Sequence, residues 1–146
     1  MCSVLPIYVA GKWADREEIG KFIDHLPPQF QATWNWTKTE DNHVDISKMA
    51  RAASNDIRGV QKAKVLVVMM TDPEYAYRGT WTEIGAALAL GKPVICMAPW
   101  FDGKVGSSAT SNVFFHHPSI VHVKTRDQVL AQLHKHHDLS IQCYFD

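Results

Sequence analysis

The chain is 146 residues long and 46% hydrophobic, enough for one continuous core, and reads as a single domain over residues 1–146. Lys plus Arg and Asp plus Glu both number 15, so no net charge steers the protein toward a nucleic acid polymer or an anionic membrane. A small neutral ligand fits this balance better. The cysteines Cys2, Cys96 and Cys143 share no metal-type spacing, no basic-then-apolar leader is visible, and no apolar run reaches about 18 residues. The expectation is a reduced, cytoplasmic setting with no bound metal and no membrane span.

Short runs rich in Val and Ile alternate with segments of helical period, the pattern of βαβ units closing a parallel sheet. A first strand is expected over residues 4–10 and a helix over 16–26, where Ile19, Phe22, Ile23 and Leu26 share one face and Pro27-Pro28 stops it. The second strand reads over 32–36. A second helix over 45–61 carries an apolar stripe of Ile46, Met49, Ala50, Ala53, Ile57 and Val60, which sets Asp56 on or beside a helix face. A third strand over 65–70 leads to a helix over 80–90, ended by Gly91-Lys92-Pro93. After a fourth strand at 94–97 comes a long Gly- and Ser-rich loop, 99–112, of the kind that is functional or mobile. The fifth strand is expected at 120–123 and the last helix at 126–137, with His134, His136 and His137 in its final turn, where cations offset the helix dipole.

Ligands of open parallel sheets bind outside the carboxyl ends of the strands. That directs attention to residues 10–13, 71–79 and 98–112, and to the helix start that holds Glu83. Thr80-x-x-Glu83 has the spacing of a capping box, as do Asp15-x-x-Glu18 and Thr125-x-x-Gln128, so Glu83 reads either as a helix cap or as a reactive carboxylate. Gly79 and Gly85 flank it and remove bulk where a ligand would approach backbone. A helix N-terminus also favours the ionised carboxylate that a nucleophile must be. Asp56 offers a second carboxylate, or else a polar pair with Asn55 on an exposed helix side.

Three segments occur in order: Ile7-Tyr-Val-Ala-Gly-Lys-Trp-Ala-Asp-Arg16, Asn55-Asp-Ile-Arg-Gly59 and Gly79-Thr-Trp-Thr-Glu-Ile-Gly-Ala-Ala-Leu-Ala-Leu-Gly-Lys-Pro-Val94. Together they make the chain resemble the nucleoside 2-deoxyribosyltransferase superfamily. The resemblance implies a flavodoxin-like, three-layer α/β fold with a five-stranded, mainly parallel sheet. It also implies a double displacement without a cofactor: a glutamate attacks the anomeric carbon of a 2′-deoxynucleoside, and another base or water then releases the sugar. Residue by residue, it assigns Glu83 as nucleophile, Asp56 as the carrier of the departing base's proton and Tyr8 as the group that orients Glu83. Gly11 and Gly79 border the substrate, Trp13 lies against the base, and Tyr77 takes a position that relatives fill with a small or acidic residue. Asn112 matches a residue that relatives supply from a neighbouring subunit, which implies a homo-oligomer. If Asp56 is the acid, burial and the nearby Glu83 charge should raise its pKa.

Two alternatives stand beside transfer. One is hydrolysis of deoxynucleosides or their 5′-monophosphates, with Ser107, Ser108 or Ser111 available to a phosphate. The other is a non-catalytic nucleotide-binding module in which Glu83 is only a cap.

Overall fold

The computed structural model describes residues 3–40 and 44–142, so Cys2 and Cys143 lie outside the described residues. Five strands, β1 (Leu5–Gly11), β2 (Phe30–Ala32), β3 (Val65–Met69), β4 (Val94–Met97) and β5 (Ile120–Val123), alternate with α1 (Arg16–Asp24), α2 (Ile46–Lys62), α3 (Arg78–Ala89) and α4 (Arg126–Gln142). The strands form one all-parallel sheet in the order β2-β1-β3-β4-β5. This is the flavodoxin-like order, with its topological switch between β1 and β3. Right-handed crossovers put α2 and α3 side by side on one face. On the other face lie α1 and α4, joined by an Arg126–Glu18 ion pair of 3.1 Å. Covered on both sides, β3 is buried along its whole length, and its unbroken apolar run reflects that position. Cys96 in β4 is likewise buried, and burial pushes its thiol up to about 12, which leaves it an inert packing group. Among the described residues no helix is long and apolar enough to cross a membrane.

Four expectations need correction. The second strand ends at Ala32 rather than beginning there. Thr33 turns its hydroxyl to the Gly59 carbonyl at 2.6 Å, Asn35 accepts from the Thr37 N–H, and a 3-10 turn follows at Trp36–Lys38. The aromatic residues that suggested a strand therefore serve as a wall beyond the sheet, anchored where the Trp36 indole donates to the Val9 carbonyl at 2.7 Å.

The apolar stripe of α2 is buried only at its C-terminal end. Val60 is buried and Ile57 half-buried, while Ile46 is 84% and Met49 45% exposed, so the first half of this 17-residue helix keeps much of its stripe in solvent. The Lys92 ammonium, in the turn before β4, donates to the carbonyls of Val60 and Gln61 and holds the last turn of α2.

The last helix runs on to Gln142, so its histidines are not a cationic final turn. His137 is buried and donates to the Ser3 carbonyl at 2.7 Å, His134 packs edge-on against Phe30, and burial lowers the His136 pKa. The fourth correction concerns caps. Helix α3 begins two residues early, at Arg78, behind Tyr77 in the left-handed region, so Thr80 and Glu83 are interior residues and form no capping box. Asp15 makes no side-chain cap either and instead accepts from the Thr71 hydroxyl at 2.6 Å. Thr125 and Gln128 do form the reciprocal pair, at 3.1 and 3.3 Å.

Candidate active site

Helix α3 turns Thr80, Glu83, Ile84 and Ala87 inward, the i, i+3, i+4, i+7 stripe that faces a core. Glutamate is among the residues least often buried unless paired, so its presence in that stripe needs a local reason. The partner is Tyr8 of β1, fully buried, whose phenol lies close enough to both Glu83 and Asp56 to act on the two carboxyl groups. Asp56 reaches this point because α2 lies directly on the tyrosine ring. A Cβ at Gly59 would meet Tyr8 Cδ2 at 2.6 Å, and Asp56 sits one turn earlier on the same helix face.

Burial raises all three groups. Glu83 is pushed up to about 8, chiefly by desolvation and further by the Asp56 charge, against the opposing hydrogen bond from Tyr8. The expectation that a helix N-terminus would favour its carboxylate fails, because Glu83 lies more than a turn inside α3. Desolvation also raises Asp56, while Tyr8 and the Trp34 indole favour its carboxylate; the Glu83 charge is not among the causes. The Trp34 N–H is buried and makes no hydrogen bond of normal geometry, though it lies close enough to Asp56 to act on it. The phenol of Tyr8 is pushed far above its ordinary value by burial and the two carboxylates.

These groups border a cavity of about 320 Å³ at the carboxyl ends of β1 and β3, where the strand order switches. Its wall includes Tyr8, Gly11, Trp13, Asp56, Tyr77, Gly79 and Glu83, together with Lys12 and Arg78. Every site residue expected from the sequence is therefore on this wall except Asn112. Tyr77 is buried at φ 49°, a conformation that costs a non-glycine residue about 1 kcal/mol. Its hydroxyl accepts from the Asp72 N–H at 3.0 Å and its ring meets Tyr75 edge-on, which holds it there. Lys12 ties the opposite rim to Asp72 at 3.8 Å.

A second cavity of about 420 Å³ adjoins the first and shares Trp13, Trp36 and Asp56 with it. Its lining combines Trp13, Trp34 and Trp36 with Met49, Ala52, Asn55 and Asp56 of α2, and Thr39, Glu40, Lys48 and Arg51 also border it.

Comparison with known proteins bears on the same residues. The family model described as nucleoside 2-deoxyribosyltransferase matches residues 7–107. The chain belongs to the nucleoside 2-deoxyribosyltransferase family. The matched span holds Tyr8, Gly11, Trp13, Asp56, Tyr77, Gly79 and Glu83 and ends before Asn112. Among solved structures, a conserved protein from Enterococcus faecalis V583 is similar at TM-score 0.65 and 18% identity, over 92% of this chain and 99% of that one. A 2-deoxyribosyltransferase from Bacillus psychrosaccharolyticus is similar at TM-score 0.62 and 19% identity, over 86% and 90% of the two chains. At such identities the likeness is one of fold. No curated protein matches the sequence.

For a member of the nucleoside 2-deoxyribosyltransferase family, some expected residues sit away from the cavities. Asn112 caps the 3-10 turn Val113–His116 by accepting from the Phe114 N–H at 3.0 Å and borders neither cavity. Loop 99–112 docks on residues 70–77, where the Trp100 indole donates to the Met70 carbonyl and the Ala109 N–H to the Pro73 carbonyl. It thus lies at the carboxyl edge but outside both cavities, with the Ser107 and Thr110 hydroxyls bonded to each other at 2.9 Å. Gly85 is exposed on the far side of α3, so it clears no space for a ligand. Sequence reasoning missed Trp34, Trp36 and Gly59; a glycine within an otherwise helical stretch was the available signal for the last.

Gly79 is different from Gly59, because a Cβ there meets nothing within 4 Å. Gly79→Ala should leave the melting temperature within about 2 °C of wild type, while the narrower cavity raises KM more than it lowers kcat. A melting temperature lowered well beyond that would contradict the open space at this position.

Proposed function

We propose that this protein transfers 2-deoxyribose from a 2′-deoxynucleoside to another purine or pyrimidine base by double displacement at Glu83, with Asp56 and Tyr8. The observation that carries this reading is the gathering of the buried Glu83, the half-buried Asp56 and the phenol of Tyr8 on the wall of a single cavity.

The pair holds one proton near neutrality, and Glu83, at about 8, retains it in the free protein. Reaction needs that proton on Asp56. Tyr8 supplies the route, taking the Glu83 proton as it gives its own to Asp56. The freed Glu83 carboxylate attacks C1′, the bond from C1′ to the base nitrogen breaks, and Asp56 protonates the departing base. In the second half, Asp56 removes the N–H proton of the incoming base, the base nitrogen attacks C1′, and the Glu83 carboxylate leaves with retention overall, as in two-carboxylate glycoside chemistry.

A second reading, cleavage of a 5′-monophosphate, is favoured by Arg78, which borders the cavity in the first turn of α3 beside Gly79. Assembly into a homo-oligomer is supported by Val113 and Phe114, 74% and 56% exposed next to Asn112, as a neighbour's contact would require.

Purified protein should be incubated with deoxyinosine, deoxyadenosine, thymidine and their monophosphates, with and without adenine or cytosine, and the products separated by chromatography. New nucleosides are the expected result. Free base without exchange selects hydrolysis, preference for monophosphates lost in Arg78→Ala selects the second reading, and no turnover of any substrate overturns the proposal. Asp56→Asn should lower kcat about 100-fold or more for an unactivated base and far less for a p-nitrophenyl deoxyriboside, whose leaving group needs no proton.

A further inference from the structure

Two indoles at the carboxyl edge of the sheet donate to backbone carbonyls, Trp36 to Val9 at 2.7 Å and Trp100 to Met70 at 2.8 Å. Trp34 does not. Its N–H is buried and makes no hydrogen bond of normal geometry, and a buried donor left unpaired destabilises a fold. An indole N–H can only donate, so what it lacks is an acceptor. The side chain has little freedom to find one elsewhere. On one side of it Thr33 is fixed by its N–H to the Ile7 carbonyl at 2.8 Å and its hydroxyl to the Gly59 carbonyl at 2.6 Å, and on the other Trp36 is fixed to Val9. Trp34 Cβ stands 3.0 Å from where a Cβ at Gly59 would lie, one turn along α2 from Asp56, and Trp34 and Asp56 share the wall of the larger cavity.

Asp56 is the acceptor at hand. The indole lies close enough to favour its carboxylate, against the desolvation that raises it, whereas Glu83 has only Tyr8 to do the same. Tyr8 therefore acts on both carboxyl groups and Trp34 on one. Lys12, Arg78, Glu40, Lys48 and Arg51 border the same two cavities, and none of them is among the causes of the Asp56 shift. An ionised carboxylate accepts more strongly than a carboxylic acid, and hydrogen bonds at reacting groups tighten once substrate is bound.

Building on the deoxyribosyl-transfer reading, we infer that Trp34 is a positioning residue for the proton step: its indole N–H holds one oxygen of the ionised Asp56 carboxylate, so that the shared proton rests on Glu83 and the nucleophile stays capped until a base arrives. The base nitrogen, facing the other Asp56 oxygen, draws the proton across through Tyr8. The Glu83 carboxylate forms its bond to C1′ as the bond from C1′ to the base breaks, and the proton passes from Asp56 to the base nitrogen. The indole keeps its own proton throughout and closes again on the Asp56 carboxylate.

The test begins with a titration that needs no turnover. In protein labelled with carbon-13 at the aspartate carboxyls, the Asp56 signal, identified by its loss in Asp56→Asn, should titrate about 1 pH unit higher in Trp34→Phe. Loss of bulk alone would admit water and move it lower. At pH 7 the variant should also release p-nitrophenolate from a p-nitrophenyl deoxyriboside roughly 10-fold faster than wild type in a single turnover, because more Glu83 is ionised and this leaving group needs no proton. A disturbed fold slows that release instead. If circular dichroism shows Trp34→Phe unfolded, benzothienyl-alanine introduced at position 34 keeps the ring shape and omits the N–H. In a protein that makes new nucleosides, an Asp56 midpoint unchanged or lowered, or release no faster than wild type, overturns the inference and leaves the transfer reaction standing. A raised midpoint in a protein that turns over no substrate sinks the reaction and keeps the hold of the indole on Asp56.

Discussion

Glu83→Gln should lower kcat by about 10⁴-fold and, at pH 8 and above, should make the protein more stable. Activity falls because an amide is no nucleophile toward C1′. The gain in stability follows from linkage. Glu83 has an ordinary pKa of 4.5 and is held at about 8 in the fold. Below pH 4.5 the folded and unfolded chains both carry the proton, so its burial adds no pH-dependent cost. From there to about 8 the unfolded chain ionises while the folded one does not, and stability falls as pH rises. Above that window the cost is complete, on the order of a few kcal/mol. Glutamine is neutral throughout and still accepts from the Tyr8 hydroxyl. Melting curves of the two proteins should therefore diverge between pH 5 and 8, and a Glu83→Gln protein that melts lower than wild type at every pH would contradict this electrostatic account. The same titration shapes catalysis. A pair that needs one proton gives a kcat/KM profile that falls above about pH 8, as Glu83 and Asp56 lose it, and falls again in acid below the raised pKa of Asp56.

Gly59→Ala is expected to damage both stability and rate although alanine is the better helix former by about 1 kcal/mol. The added methyl would lie 2.6 and 2.8 Å from two carbons of the Tyr8 ring and 3.0 Å from Trp34 Cβ. The tyrosine has no room to retreat, since it is fully buried in the central part of the sheet. Overpacking of this kind costs about 1–3 kcal/mol, more than the propensity gain. If α2 moves instead, Asp56 moves with it, and a displacement of about 1 Å at a reacting group costs about 100-fold in rate. Chemical denaturation and kcat for the same variant test both halves; a protein of wild-type stability and rate would mean that the helix and ring are not in contact.

The fold was legible where burial on both faces makes strands continuous apolar runs, as at Val65–Met69 and Val94–Met97. It was less legible where a distant contact decides. Thr33, Trp34 and Trp36 have strand-forming side chains, yet the Thr33 bond to Gly59 and the Trp36 bond to Val9 pull them out of the sheet. Thr80 and Glu83 have the same spacing as Thr125 and Gln128, and only the second pair caps a helix. What separates them is Tyr77, whose ring contact with Tyr75 and bond to the Asp72 N–H start the helix earlier. The site residues were legible because they come in short segments around strand ends. Their ionisation was not, since desolvation depends on what the rest of the chain packs around Glu83.

The long helix α2 is fastened at one end only. Its root is held by Gly59 on Tyr8, by Val60 in the core and by Lys92 across its last carbonyls, while the tip around Ile46 stands clear of the domain. A beam mounted this way deflects most at its tip and least at its root. Asp56 lies near the root, and Lys48, Met49 and Arg51, which line the larger cavity, lie toward the tip. Strain applied to the tip therefore reaches Lys48, Met49 and Arg51 before it reaches Asp56, so the outer cavity wall and the spacing of the two carboxyl groups rest on different parts of one helix.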